Sequence, residues 1–174
     1  MKNREVFCSG IITGDTIAKL REEVSAFFEK DEKEPITLYI SSGGGSAMQA
    51  VGFYEWVKMK NIPLTTIALV EVSSAAITIF LSGQTRYATK HSWFLIHPAG
   101  SIKDTVRQFS RRFISPRRYR EERDWDNRYQ KVMADILAEN TKIPLKDIRR
   151  SLSHSFLSFN PSEAKELGLV EKII

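Results

Sequence analysis

The sequence predicts an α/β domain built on a largely parallel sheet, and three observations carry that reading. Through residues 1–100, short β-branched and aromatic runs alternate with helical stripes of about ten to fifteen residues, which calls for right-handed crossovers between parallel strands. The breaks between runs hold Gly, Pro, Asn or Ser, the residues that end regular structure. A chain of 174 residues with 42% hydrophobic and 27% charged side chains is one ordinary domain, long enough to bury a core without a metal or disulfide staple.

Val6 to Ser9 is a short apolar run that opens the sheet. Thr16 to Phe28 places Ile17, Leu20, Val24, Phe27 and Phe28 on one helical stripe. Ile36 to Ile40 reads as a buried strand that ends in the turn Ser41-Ser42-Gly43-Gly44-Gly45-Ser46. A helix follows with Ala47, Ala50, Val51, Tyr54 and Val57 as its stripe; Asn61-Ile62-Pro63 breaks it, and Leu64 to Val70 is the next strand. Ser73 to Leu81 is small and then apolar, a buried helix closed by Ser82-Gly83 with glycine as a left-handed cap. Strands at Arg86 to Ala88 and Trp93 to Ile96 come next.

From Lys103 the pattern is helical to about Asn140, broken at Ser115-Pro116, where serine caps and proline fills a first turn. The second piece carries Trp125, Tyr129, Val132, Met133, Ile136 and Leu137 on one face, enough apolar surface to require a partner, either the parent domain or another subunit. Pro144 to Leu152 and Pro161 to Leu167 read as short helices, and Leu169 to Ile174 as a last strand.

Charge and composition exclude several function classes. The net charge is +5, with ten basic and ten acidic residues in 1–100 and sixteen against eleven in 101–174. Lys103 to Arg128 holds nine basic residues, but Glu121, Glu122, Asp124 and Asp126 are interleaved, as on an ion-paired helix or assembly interface, so a nucleic-acid partner is not expected. The opening Met-Lys-Asn-Arg-Glu has no apolar stretch behind it, so no signal peptide is expected. The run Val72 to Thr85 has 14 residues, short of the ~18 to 20 that span a bilayer, so no membrane partner is expected. Cys8 is the single cysteine and reads as a small buried hydrophobe, suiting a reducing cytoplasm; with three scattered histidines there is no ligand spacing for a metal, and no cofactor is implied.

Three places could carry chemistry. Gly43-Gly44-Gly45, between a strand and a helix, lets backbone amides approach an anion; it fits neither the dinucleotide fingerprint nor the phosphate loop, which leaves an oxyanion or a tight turn with no ligand. Ser73-Ser74 stands at a strand-to-helix junction, where a serine is a helix cap or a nucleophile, outside the G-x-S-x-G elbow. His97 follows Trp93-Phe94-Leu95-Ile96 at a strand end, where functional side chains of parallel sheets collect, whereas His91 and His154 lie in polar surroundings.

In that order, glycine turn, serine and histidine resemble the proteolytic subunit of the Clp protease, a family within the crotonase-like superfamily, over nearly the whole chain. Leu38 to Ser46 is similar to the family's Tyr-Ile-Asn-Ser-Pro-Gly-Gly-Ser, with Gly43 in place of proline and Gly44-Gly45 as the glycine pair; Phe53-Tyr54-Glu55 continues it as Ile-Tyr-Asp. Val72-Ser73-Ser74-Ala75-Ala76 through Gly83 is similar to the nucleophile segment Ala-Ala-Ser-Met-Gly, and counting back from Gly83 selects Ser74. Ile96-His97-Pro98 resembles Ile-His-Gln-Pro, and Phe156-Leu157-Ser158 with Ser162 to Val170 resembles the closing Phe-Leu-Ser, Glu-Ala and Gly-Leu-Val-Asp.

The resemblance implies the crotonase-like fold of repeated β-β-α units with a mostly parallel sheet and a protruding helical handle, here one domain over 1–174 with its head at 1–100 and 141–174 and its handle at about 101–140. It implies a serine endopeptidase with Ser74 as nucleophile, His97 as base, the amides of Gly44 and Ala75 as oxyanion hole, and Gly43 and Gly45 lining the strand edge that takes the substrate. It also implies peptide or unfolded-protein substrates, a homo-oligomeric ring or stacked rings, and an ATP-dependent unfoldase as partner.

Three departures from the family stand out. The triad aspartate's position is His154, followed by Ser155, with Asp147 and Asn140 as the possible substitutes if the fold brings one to His97. The chain opens close to its first strand, without the segment that forms the family's axial loops, and Pro116 interrupts an Arg-rich handle. Two other readings therefore stand beside the peptidase: a catalytically inactive Clp-like structural or peptide-binding subunit, and an acyl-CoA enzyme of the crotonase type that uses the same amides for an enolate.

Overall fold

In the computed structural model the described residues are 4–98 and 116–174, with side chains described outside 116–127. The expectations for residues 101–115, for Trp125 and for the interleaved Arg, Glu and Asp side chains between Lys103 and Asp126 lie outside the described residues.

Strands β1 (Glu5–Ile12), β2 (Ile36–Gly45), β3 (Leu64–Ser73), β4 (Thr85–Ala88), β5 (Trp93–Ile96), β6 (Leu157–Phe159) and β7 (Lys172–Ile173) make one mixed sheet. Its path is β1-β2-β3-β4-β7, all parallel, and β5 leaves the path to pair with β3 in parallel and with β6 antiparallel. Helices α1 (Gly14–Phe28), α2 (Ala47–Lys60) and α3 (Ala75–Leu81) each follow a strand, as the alternation predicts. Next come α4 (Pro116–Asn140), α5 (Leu145–Ser153) and α6 (Pro161–Glu166).

The stripes read from the sequence mostly bury. Ile17, Leu20 and Val24 of α1, Ala50, Tyr54 and Val57 of α2, and every residue of α3 lie in the core with Leu38, Ile40 and Phe94. Helix α3 is the centre of that core: a seven-residue helix wholly enclosed, reached by β3 and covered by α4. Met133, Ile136 and Leu137 of α4 are buried, and the Thr78 hydroxyl donates to Met133 Sδ at 2.6 Å, so this part of the apolar face is covered by the parent domain. Val132, expected on the same face, is 37% exposed, and Ala134 takes the core position instead.

Two local expectations fail for steric reasons. Gly43, Gly44 and Gly45 do not form a turn but continue β2, pairing Ile11 with Gly44 and Ile12 with Gly45 after a register shift between Ser9 and Ile11 that leaves an extra residue in β2. The glycines allow this because Gly44 and Gly45 have φ of 99° and 146°, and a Cβ on Gly45 would run into the backbone of Ile12. Gly83 is no left-handed cap: Ser82, the C-cap of α3, is right-handed, and glycine is needed at 83 because a Cβ there would lie 2.5 Å from Thr66 Oγ1. Strand β6, which begins inside the Phe156-Leu157-Ser158 segment and ends at Phe159, is an element that the periodicity of so short a run did not suggest.

Candidate active site

Ser74 is the one residue between the end of β3 and the start of α3. Its backbone has φ 55° and ψ −126°, a region that non-glycine residues rarely occupy and that costs of the order of 1 to 3 kcal/mol. A cap would sit in extended geometry with its side chain bonded to an amide of the first turn; the Ser74 side chain makes no such bond. The backbone is held instead: the Ser74 amide donates to Leu95 O at 2.8 Å, and its carbonyl accepts from the Ile77 amide at 3.0 Å. A strained serine at a strand-to-helix junction is the physical content of a nucleophile elbow, although the G-x-S-x-G pattern is absent.

Gly44 packs directly against this serine. A Cβ on Gly44 would lie 2.7 Å from Ser74 Cβ, 2.8 Å from Ser73 O and 3.1 Å from the Ala75 amide nitrogen. Bare backbone is therefore required at 44, and it leaves the Ala75 amide, one of the first-turn donors of α3, clear of side-chain cover from that direction. The Gly44 amide donates to Ser42 Oγ at 3.1 Å, and the Ser42 hydroxyl donates to Gly10 O at 2.6 Å, which fixes the bend of β2 toward Ser74. Gly43 is exposed and faces the Glu71 carboxylate, 3.4 Å from the place a Cβ would take.

His97 reaches the same end of the sheet. Ser73 is in register with Leu95 across the parallel pair β3–β5, so Ser74 and His97 leave the C-terminal ends of neighbouring strands, the usual place for functional groups in an open α/β sheet. The His97 ring is half-buried, its Nδ1 lies 2.9 Å from the carbonyl oxygen of Pro98, and its face is stacked on Phe156 with centroids 6.2 Å apart at 30°. Pairing of Ile96 with Leu157 in β6 brings Phe156 there.

The substitutes for an acid fall in different places. Asn140 does not serve His97: its side-chain amide donates to Tyr54 Oη at 3.0 Å and to Ile136 O at 2.8 Å. Asp147 lies in the first turn of α5, and His154 caps that helix's far end, about 10 Å along its axis. His154 is exposed, with its amide donating to Arg150 O at 2.9 Å, and Ser155 Oγ donates to Phe156 O at 3.4 Å. Ser73 is 2% exposed, and its hydroxyl has no hydrogen-bond partner among the described residues.

Cys8 is buried in β1 as expected, and burial pushes its thiol up to about 11, which makes it a poor nucleophile. Among the described residues no group of His, Cys, Asp and Glu is arranged to hold a metal, and no helix is long and apolar enough to cross a membrane. The sequence reading missed Ser42, Pro98 and Phe156 as parts of the site. Of these, only the His97-Pro98 pair carried a local signal, because proline confines the residue before it to extended backbone.

ClpP1 from Listeria monocytogenes superposes on the chain with a TM-score of 0.79 at 22% identity, over 98% of this chain and 91% of that one. A single-residue mutant of the same ClpP1 superposes with a TM-score of 0.77 at 22% identity and the same coverage, so the fold is that of these proteins. The Clp protease family model matches residues 1–174, and this chain, with its serine, its histidine and its glycine-lined strand at one end of the sheet, belongs to the Clp protease family.

Proposed function

We propose that the chain is a serine endopeptidase in which Ser74 is the nucleophile and His97 the base. The observation that carries this reading is the strained backbone of Ser74, pinned to Leu95 and pressed against Gly44. His97 takes the Ser74 proton as Oγ attacks the scissile carbonyl carbon; the imidazolium then protonates the leaving amine as the peptide bond breaks, leaving an acyl-enzyme. Water, deprotonated by the same imidazole, releases the second product. The amides of Gly44 and Ala75 receive the tetrahedral oxyanion, each such donor being worth about 3 to 4 kcal/mol in comparable sites. Binding it requires the Gly44 amide to exchange its Ser42 partner for the oxyanion. Substrate backbone lies against the exposed Gly43 and Gly45 on the side of β2 left open past the Ser42–Val72 pair, with weak side-chain selectivity.

Peptides and unfolded proteins are the proposed substrates, and a ring or stacked rings the proposed working form, located in the cytoplasm. An ATP-dependent unfoldase would feed it.

A second reading is favoured by one observation, the absence of a carboxylate at position 154, where the family's aspartate stands. It holds that the chain is a silent structural or peptide-binding subunit. Loss of the orienting acid lowers the rate of a serine peptidase about 10⁴-fold without removing nucleophile or base. Labelling with a serine-directed fluorophosphonate decides between them, with assembly size read by light scattering on the same samples. The peptidase reading expects labelling of wild type and of Ser73→Ala but not of Ser74→Ala; an intact ring that never labels establishes the silent subunit.

A further inference from the structure

We infer that the Glu71 carboxylate, with Trp93 beside it, forms a subsite that favours a basic side chain, lysine or arginine, next to the scissile bond; this rests on the peptidase reading of Ser74 and on substrate lying against the glycines of β2. Strand alternation brings Glu71 to that place. Ser42 and Val72 are in register across the β2–β3 pair, and both are buried. Residues flanking them in their strands turn to the other face of the sheet, where Gly43 is exposed. Glu71 and Gly43 meet there: the place a Cβ would take on Gly43 is 3.4 Å from one oxygen of the Glu71 carboxylate and 3.7 Å from the other. Glycine at 43 has no side chain to cover the carboxylate from that direction.

The carboxylate also lies near the nucleophile. Glu71 precedes Ser74 by about 10 Å of extended chain, and Gly43 adjoins Gly44, whose own Cβ would lie 2.7 Å from Ser74 Cβ. A substrate whose carbonyl reaches Ser74 across Gly44 therefore carries a neighbouring side chain over Gly43 and onto Glu71. On the other side of Glu71, Trp93 is its register partner in the parallel pair β3–β5 and is 40% exposed. In-register residues of adjacent strands share a face, so a carboxylate and an accessible indole stand together.

That pair suits a cation in two ways. The oxygens offer an ion pair, and the indole face attracts the charge while the hydrocarbon stem of lysine or arginine lies on the ring. Among the described residues Glu71 makes no ion pair and its carboxylate accepts no hydrogen bond, so none of their cations competes with one from substrate. The contacts stay partly solvated, and the preference they give is a few-fold one that salt weakens.

The test uses fluorogenic peptides of one parent sequence that carry a single lysine or a single glutamate at each of the two positions on either side of the scissile bond. Cleavage is read as kcat/KM, and binding of the same peptides to Ser74→Ala is read by fluorescence anisotropy. At one of these positions lysine is expected to exceed glutamate about fivefold in both readouts at low ionic strength, with the ratio falling toward one in about 0.5 M salt. Glu71→Gln is expected to bring the ratio close to one, Glu71→Lys to invert it, and Trp93→Leu to lower it about twofold. Each ratio is taken within one variant, so a general loss of activity does not imitate the result. Equal use of lysine and glutamate at every position overturns the inference, as does a ratio that Glu71→Gln leaves unchanged; a ratio unchanged in Trp93→Leu strikes the indole from the subsite. Lysine-selective binding to Ser74→Ala with no peptide cleaved by the wild type defeats the peptidase reading and leaves the subsite standing. Cleavage without charge preference does the reverse, and the absence of both binding and cleavage defeats both.

Discussion

Two polar clusters lie along β3, and they are built on opposite terms. Beside its N-terminal half, Arg86 of β4 donates to Leu169 O at 3.0 Å, Gly168 O at 3.2 Å, and Gly83 O and Asn140 O at 3.4 Å, while Asn140 bonds Tyr54. Each guanidinium nitrogen of Arg86 has a partner, and burial pulls the guanidinium below its usual range without removing its charge. Past the C-terminal end of the same strand, Ser74 sits in a strained conformation, Ser73 Oγ is buried with no partner among the described residues, and Gly44 must be bare. The first cluster ties the chain's C-terminal segment to the sheet. The second stores strain and an unpartnered hydroxyl beside the proposed nucleophile, whereas the first stores neither.

Four changes break or sharpen this contrast, from the largest effect to the smallest. Gly44→Ala puts a methyl group against Ser74 Cβ and the Ala75 amide. Fluorophosphonate reaction at Ser74 is expected to fall about 10³-fold while the variant still folds, as judged by circular dichroism; an unchanged rate would remove Gly44 from the site. Arg86→Met strips four carbonyls of their donor and is expected to cost about 3 kcal/mol in urea unfolding, with Ser74 reactivity of the folded protein unchanged. A parallel loss of reactivity would mean that the two clusters are coupled.

Cys8 tests burial without any polar partner. Its thiol rises from 9.0 to about 11 in the fold, so its contribution to stability is complete below pH 9 and is lost as pH rises through 11. Wild type is expected to lose about 2 to 3 kcal/mol more than Cys8→Ala between pH 8 and pH 11.5 in urea titrations; equal losses would show the thiol to be better hydrated than its position implies. Ser74→Gly, last, relieves the positive φ and is expected to raise stability by about 1 kcal/mol while abolishing labelling. A destabilised glycine variant would mean that the Ser74 side chain contributes packing that outweighs its strain.

Much of this architecture is legible in the sequence because it rests on periodicity. The stripes of α1 and α2 and the apolar strands β3 and β5 announce themselves, and the order of Gly44, Ser74 and His97 suffices to place them on successive strand ends. What escapes is set by contacts distant in the chain. The glycine triplet has the composition of a turn, and only its pairing with Ile11 and Ile12 makes it strand. Val132 is exposed and Ala134 buried because the tertiary contacts of α4, which the stripe does not encode, decide which positions face the domain. Asn140 looked available as a polar side chain near a helix end, and Tyr54, far earlier in the chain, is what occupies it. The carbonyl of Pro98 has no side-chain signature at all.

The position of β5 has a consequence for when the site comes into being during synthesis. This four-residue strand is gripped by β3 on one side and by β6 on the other, and β6 belongs to the last fifth of the chain. Closing so long a loop is slow compared with the local pairing of β1, β2 and β3, so the early strands and Ser74 can be in place on a ribosome-bound chain while one edge of β5 is still open. His97, the proposed base, gains its Phe156 contact only after β6 is in place.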